Sequence, residues 1–266
     1  MNFNYNYNFV ESINNNLGGG QNPATKGLIV QLNYDNYTEG SLIWDDLSGF
    51  NNDARVIGDL QSTTLGWRFT SGSQLLLSAS LNGISDIPIV NADNYTLQAY
   101  ITVDSGSGDQ MLFNKVGNTA SNQGFFTSFL DSGSYPGVGN GFAYYCKFSY
   151  SVPVTGTNEL QTDRTIVTNP NTNPFVLHTL TQAAGNSSAA TIKTFSDYFQ
   201  LYTSAPNATG GPFNSLDNTD DLSFGRAVNE LFSYNGFTGT LKYLYIYNRA
   251  LTPNEVFNNY LYFSTH

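Results

Sequence analysis

The chain is short of charge and almost without sulfur. Only 11% of its 266 residues are Asp, Glu, Lys or Arg, and ten basic residues stand against twenty acidic ones. A formal charge of −10 with scattered cations cannot neutralise a run of phosphates, which excludes DNA and RNA as partners. Cys146 is the single cysteine, so no intrachain disulfide can form and stability must come from packing. There are two histidines, His178 and the terminal His266, which leaves too few parts for a catalytic triad or a zinc site. The opening MNFNYNYNFV has neither the basic nor the apolar region of a secretory leader, and no later stretch reaches the length of a membrane span. The expectation is a chain with no signal peptide, no transmembrane segment and no membrane partner. Ser48 lacks the G-x-S-x-G turn that exposes a nucleophile, and Gly18 to Gly20 and Gly210-Gly211 lack the Lys and strand–helix context of a phosphate loop.

What the chain does have is uncharged polarity from Asn, Ser and Thr, together with 18 Tyr, 19 Phe and 2 Trp, a composition that favours strands and turns. Alternating or apolar runs bounded by turn residues predict strands at 27–35, 41–47, 54–60, 67–70, 74–79, 95–104, 110–116, 124–131 and 141–152. Further runs at 163–169, 175–184, 191–196, 198–204, 221–227 and 240–247 continue the series, at a spacing that suits antiparallel connections throughout. So many strands in one chain of this length predict an all-β, jelly-roll sandwich of two antiparallel sheets. Thr252, Pro253 and Glu255 form a capping box, which predicts a short C-terminal helix over about residues 253–262. A further short helical turn is possible near Ala79 to Gly83. The chain divides into residues 1–25 and a single domain over 26–266. In the first part Phe3, Tyr5, Tyr7 and Phe9 alternate with Asn before a Gly-rich hinge. As a strand this arm would present four aromatics on one face, suited to docking on a neighbouring subunit or another protein. A polar, aromatic tail without fixed structure is the other reading.

Three motifs carry a resemblance. Trp44-x-Asp46-Leu47-Ser48-Gly49-x-Asn51-Asn52-x-Ala54 lies near the start, Leu222-x-Phe224-Gly225-Arg226 lies before the last strand, and Phe237-x-Gly239-x-Leu241 with Tyr247-Asn248-Arg249-Ala250-Leu251 closes the chain. Together they resemble laminin G-like domains of the concanavalin A-like lectin and glucanase superfamily. The abbreviated pattern is similar to that of domains in phage and large-virus particle proteins.

The resemblance implies three kinds of chemistry. Glucanases of the superfamily use two nearby carboxylates on one strand. Here the five glutamates, at 11, 39, 159, 230 and 255, offer no such pair, and Asp45, Asp46, Asp217, Asp220 and Asp221 sit in turn-like surroundings. The chain is therefore expected not to be an enzyme. Laminin G-like domains often hold calcium at the sandwich rim, for which Asp46, Asn51 and Asp53 are the candidate ligands. The alternative is that this turn is fixed by bonds from side chain to backbone. Lys242 stands where relatives often have an acid, which argues against a dication. No other cofactor is implied. Sugar binding needs exposed aromatics beside amides and carboxylates, and the candidates are Tyr37, Phe50, Tyr135, Phe213 and Tyr234.

Two functions are expected. One is a non-catalytic virion structural protein on the capsid surface, a decoration, cement or fibre component that contacts other virion or capsid proteins through its arm or a sheet edge, with homo-oligomers possible. The alternative is a carbohydrate-binding, lectin-like module for a host or cell-surface glycan. A glycoside hydrolase is the minor reading.

Overall fold

The computed structural model describes residues 22–77, 94–104, 110–116, 124–131, 142–149, 160–161, 165–167, 175–183, 191–197, 199–204, 221–226 and 235–266. Within them the first part of the chain forms β1 (Leu28–Asn33), β2 (Ile43–Trp44), β3 (Ala54–Ile57), β4 (Gln61–Thr63), β5 (Gly66–Phe69) and β6 (Gln74–Leu77). The middle forms β7 (Tyr95–Val103), β8 (Gln110–Val116), β9 (Gly124–Asp131), β10 (Phe142–Ser149), β11 (Leu160–Gln161), β12 (Thr165–Val167), β13 (Val176–Ala183), β14 (Thr191–Ser196) and β15 (Phe199–Ser204). The chain closes with β16 (Leu222–Phe224), β17 (Asn235–Gly236), β18 (Gly239–Tyr247) and the helix α1 (Pro253–Thr265).

The strands form the two sheets of a jelly-roll sandwich. An eight-stranded sheet runs β15-β14-β13-β7-β18-β5-β4, with β1 also on β18. A ten-stranded sheet runs β11-β10-β9-β8-β16-β6-β3-β2, with β12 on β10 and β17 on β8. Strand positions follow the sequence reading closely, but three short strands, β4, β11 and β17, have no periodicity to announce them. The expectation of antiparallel pairing throughout also needs correcting, because β17 runs parallel to β8. Residues 235–236 belong to the ten-stranded sheet and Gly239 already to the other. The chain crosses between layers there, and that crossing sets its direction beside β8. The helix runs on to Thr265, three residues beyond the expected end, because Val256, Asn259 and Phe263 all bury on one face.

The core between the sheets is apolar and mixed in shape. Trp44, Phe69, Leu75 and Phe224 from one side of the chain's path meet Leu97, Ile101, Leu244 and Ile246 from the other. Phe69, Phe113, Phe224 and Phe237 pack edge-on and tilted, with centroids 5.3 to 5.7 Å apart. This is the arrangement aromatic quadrupoles favour.

A second apolar layer lies on the opposite face of the eight-stranded sheet. There α1 covers Tyr100, Leu177, Phe195, Tyr243, Tyr245 and Tyr247 with Val256 and Phe263. The central strand β18 is therefore covered on both faces, which is why Leu, Ile and Tyr run through it almost without a polar break. Gly239 enters this strand at φ 155° with no room for a Cβ against the Thr102 carbonyl, so the Gly of Phe237-x-Gly239-x-Leu241 is a steric requirement.

Candidate functional site

The Trp44-to-Ala54 turn closes an edge. β1 pairs with β18 on one side only, and its other edge faces the loop 45–52. Asp46 is the hub of that loop. Its Oδ1 accepts from the Gln31 amide at 2.7 Å and from the Ser48 amide at 2.9 Å, while its Oδ2 accepts from Ser48 Oγ at 2.6 Å and from the Asn52 amide at 3.0 Å. The Leu47 amide donates to the Gln31 carbonyl, and Ser48 Oγ and Asn52 Nδ2 both donate to the Ile29 carbonyl. An open strand edge is thereby paired by side chains and a loop, which protects it from adding a foreign strand.

The same bonds engage the calcium candidates. Both Asp46 oxygens already accept two donors each, Asp53 Oδ1 accepts from the Asp46 amide at 2.8 Å, and Asn51 holds the turn at φ 57°. These bonds fix the backbone of the turn, and a cation would have to displace them. Among the described residues there is no cluster of three or more His, Cys, Asp or Glu able to hold a metal.

The Tyr247-to-Leu251 motif ties helix to sheet. Tyr247 Oη accepts from Asn259 Nδ2 at 2.8 Å, and the same amide donates to Gln98 Oε1 at 2.6 Å, while Gln98 Nε2 donates to Thr179 Oγ1. Asn259 Oδ1 accepts from the Ala24 amide, so the N-terminal stretch at residue 24 is held against the helix. Arg249 grips Glu255 with both terminal nitrogens, at 2.9 and 2.6 Å, and donates through Nε to the Lys26 carbonyl. Glu255 also closes the capping box on Thr252. Held by Arg249, its carboxyl is pushed down to about 2. The motif is structural, as the sequence suggests.

A second group of polar and aromatic side chains lies at a fork in the eight-stranded sheet. Gly239 to Leu241 of β18 pair with β5, whereas Tyr243 to Tyr247 pair with β1. Lys242 stands at the divergence and is the extra residue of a β-bulge against β7, where Leu241 faces Ile101 and Tyr243 faces Tyr100. A bulge re-aims side chains. Here it sends Lys242 and Tyr243 to the same outer face, with the Lys242 ammonium 5.4 Å from the ring centre of Tyr34, 5.6 Å from Tyr243 and 5.9 Å from Phe175.

Tyr34, in the 3₁₀ turn that follows β1, packs edge-on to Tyr243, and Tyr262 of α1 packs on Tyr243 at a tilt. Tyr262 also stacks on the exposed ring of His266 at 4.4 Å. Tyr34, Lys242 and Tyr262 are half-buried, and Asp35 beside them is exposed. Burial lowers the Lys242 pKa and raises that of Tyr243, where Tyr262, Tyr34 and Asp35 add to the effect. The phenol of Tyr243 therefore stays protonated. Gln31 Nε2 donates to Tyr245 Oη at 3.1 Å, which connects this cluster through β1 to the Asp46 turn. Half-exposed rings, hydroxyls, an ammonium and a carboxylate are thus gathered on one face, the inventory a saccharide site needs.

Of the residues expected from sequence to stack on sugars, Tyr37 requires correction. Its ring is buried against Trp44 and Trp67, at 4.9 and 4.7 Å, and its hydroxyl donates to the Ser41 carbonyl. A loop position looked exposed because the two Trp rings that cover it come from different strands, Trp44 from β2 and Trp67 from β5. Phe50 is 57% exposed at the tip of the Asp46 turn. Tyr135, Phe213 and Tyr234 lie outside the described residues, as do Phe3, Tyr5, Tyr7 and Phe9 of the arm and the turn near Ala79 to Gly83. His178 faces the inter-sheet core, and burial pushes its pKa down to about 3, so it is neutral and not a surface ligand. Tyr34 and Tyr262 escaped the sequence reading because each sits inside an assigned element. A signal was present in the Tyr243, Tyr245, Tyr247 alternation, which demands a covering layer with an end somewhere.

No family model matches the chain, and no curated protein matches it. Solved structures do. The chain is similar to Trypanosoma rangeli sialidase in complex with sialic acid, with a TM-score of 0.59, 15% identity, and 88% of this chain against 33% of that one covered. It is also similar to botulinum neurotoxin type C, described as entering cells through two ganglioside molecules (TM-score 0.58, 13% identity, 88% and 51% covered). A third is the binding domain of botulinum neurotoxin DC in complex with rat synaptotagmin II (0.60, 13%, 90% and 52%). The chain spans about a third to a half of the length of these structures. At such identities the likeness shows the fold alone, a jelly-roll β-sandwich. The comparisons give the virion reading no support.

Proposed function

We propose that the chain is a non-catalytic, carbohydrate-binding module of lectin type, and that it binds its saccharide at the fork of the eight-stranded sheet. The observation that carries this reading is the convergence of half-exposed Tyr34 and Tyr262 on the Tyr243 floor with Lys242 beside them. A pyranose has an apolar face that stacks on such rings and equatorial hydroxyls that bond neighbouring amide, phenol and charged groups. The similar structures include one with bound sialic acid and one whose cell entry depends on gangliosides, which supports a sugar ligand on this fold. Among the described carboxylates, Asp46 and Asp53 are committed to the turn, Asp104 to Arg68, Asp197 to the Leu177 amide and Glu255 to the helix clamp, which is consistent with binding without hydrolysis.

The test is a glycan array probed with the whole chain, with and without calcium, repeated with Tyr34→Ala and Tyr262→Ala. Binding that is calcium-independent and weakened about fivefold or more by losing either ring is expected, since one aromatic contact is worth about 1 kcal/mol. Uniform silence of the array, or binding indifferent to both substitutions, would overturn the reading.

A further inference from the structure

We infer that the saccharide taken at the fork carries a carboxylate, and that Lys242 is the residue that selects it; this rests on the carbohydrate-binding reading above. The bulge is the first reason. An ordinary alternation through β18 would place Lys242 and Tyr243 on opposite faces, and the added residue instead brings the ammonium to the same face as the tyrosines. The second reason is what surrounds that ammonium. It is half-buried among the rings of Tyr34, Tyr243 and Phe175, and among the described residues no carboxylate pairs with it. The chain's other described cations with a visible task are paired, Arg68 with Asp104 at 2.6 Å and Arg249 with Glu255 at 2.6 Å.

Partial burial of an ammonium against rings is only partly compensated by the ring quadrupoles, and an arriving carboxylate completes the compensation. Burial already lowers the Lys242 pKa, and a bound anion would raise it again.

The remaining groups agree in kind. Gln31 Nε2 donates to Tyr245 Oη, and the phenols of Tyr34 and Tyr262 are further groups able to donate, as a carboxylate and its adjacent hydroxyls require. Two carboxylates oppose an anion here, Asp35 through Tyr243 and Asp197 through Tyr100. Asp197 is engaged at Oδ1 by the Leu177 amide, and burial raises its pKa. Asp35 is exposed on the 3₁₀ turn and close enough to influence Tyr243. Asp35 therefore sets the upper limit on anion affinity, and removing its charge should strengthen binding.

The experiment is calorimetric titration of the whole chain with sialyllactose, with its methyl ester, with a sulfated lactose and with lactose at low ionic strength. Wild-type protein is expected to bind sialyllactose about tenfold tighter than lactose or the ester, the increment of one charge-assisted contact. The sulfated sugar should fall between them. Lys242→Gln should bring the sialyllactose-to-lactose ratio close to one, with the thermal midpoint as in wild type. Asp35→Asn should widen the ratio. Equal binding of acid and ester by wild type, or a ratio unchanged in Lys242→Gln, would overturn the selectivity assigned to Lys242 and leave a neutral-sugar site standing. A sulfate preferred over the carboxylate would overturn the ligand class. Silence toward all four sugars would remove the carbohydrate-binding reading with it.

Discussion

The eight-stranded sheet has two covered faces, and they are built on different terms. Against the other sheet the contacts are aliphatic, phenyl and indole with two tyrosines, Tyr37 and Tyr95, and His178 is buried there and held neutral. Against α1 the contacts are tyrosine-rich, and polar groups are threaded through them, with Gln98, Asn259, Thr179 and Tyr247 bonded in a chain. The inner face lies between the sheets and supplies stability. The outer layer ends in the open at Tyr34, Tyr262 and Lys242, and an apolar layer with polar tips at its margin is where a ligand can take up the same contacts. One sheet thus serves packing on one side and recognition at the margin of the other.

Breaking the inner face should cost most. Trp44 is fully buried, and Trp44→Ala should lose about 3–5 kcal/mol, read from urea unfolding. A loss under 1 kcal/mol would mean that the two sheets are not held by this core. The outer layer should break more gently and more specifically. Asn259→Leu strands the Gln98 amide oxygen and the Ala24 amide, at a cost of about 1–3 kcal/mol. Combined with Gln98→Met, the losses should be less than additive, since both sit in one network.

Acid separates the two layers further. His178 has its pKa lowered to about 3, so the unfolded chain binds more protons than the folded one between its ordinary 6.5 and about 3. Stability should fall as pH drops through that window, and His178→Asn should flatten the slope. Glu255 is depressed from 4.5 to about 2 by Arg249, so its contribution is complete above 4.5 and is lost as pH falls toward about 2. Near-UV circular dichroism of the tyrosine layer should report that second, lower window, and Glu255→Gln should remove it. The smallest effect is expected at Phe50→Ser, on an exposed turn tip, with stability within about 0.5 kcal/mol of wild type and sugar binding unchanged.

Much of the fold was legible because strands advertise themselves by period and the helix by its cap. β7, β8, β9, β14 and β18 lie within one residue of their expected bounds. What could not be read is what depends on a third strand. Tyr37 is hidden by two tryptophans that no local pattern associates with it. The Asp46 turn announced side-chain bonding to backbone, but not that the backbone was the open edge of β1. Lys242 was noticed in sequence as a cation in an unexpected place, yet its meaning depends on the bulge and on the divergence of β1 from β5. A bulge leaves no trace in a run of alternating residues; it becomes visible only when Leu241 and Tyr243 are matched to consecutive partners, Ile101 and Tyr100.

The most direct measurement is a saccharide titration followed by amide chemical shifts of the folded chain. Resonances of Tyr34, Lys242, Tyr243 and Tyr262 should move together along one saturable curve, while those of residues 48–53 stay in place. Shifts confined to the 48–53 turn, or none at the fork at saturating sugar, would contradict the account.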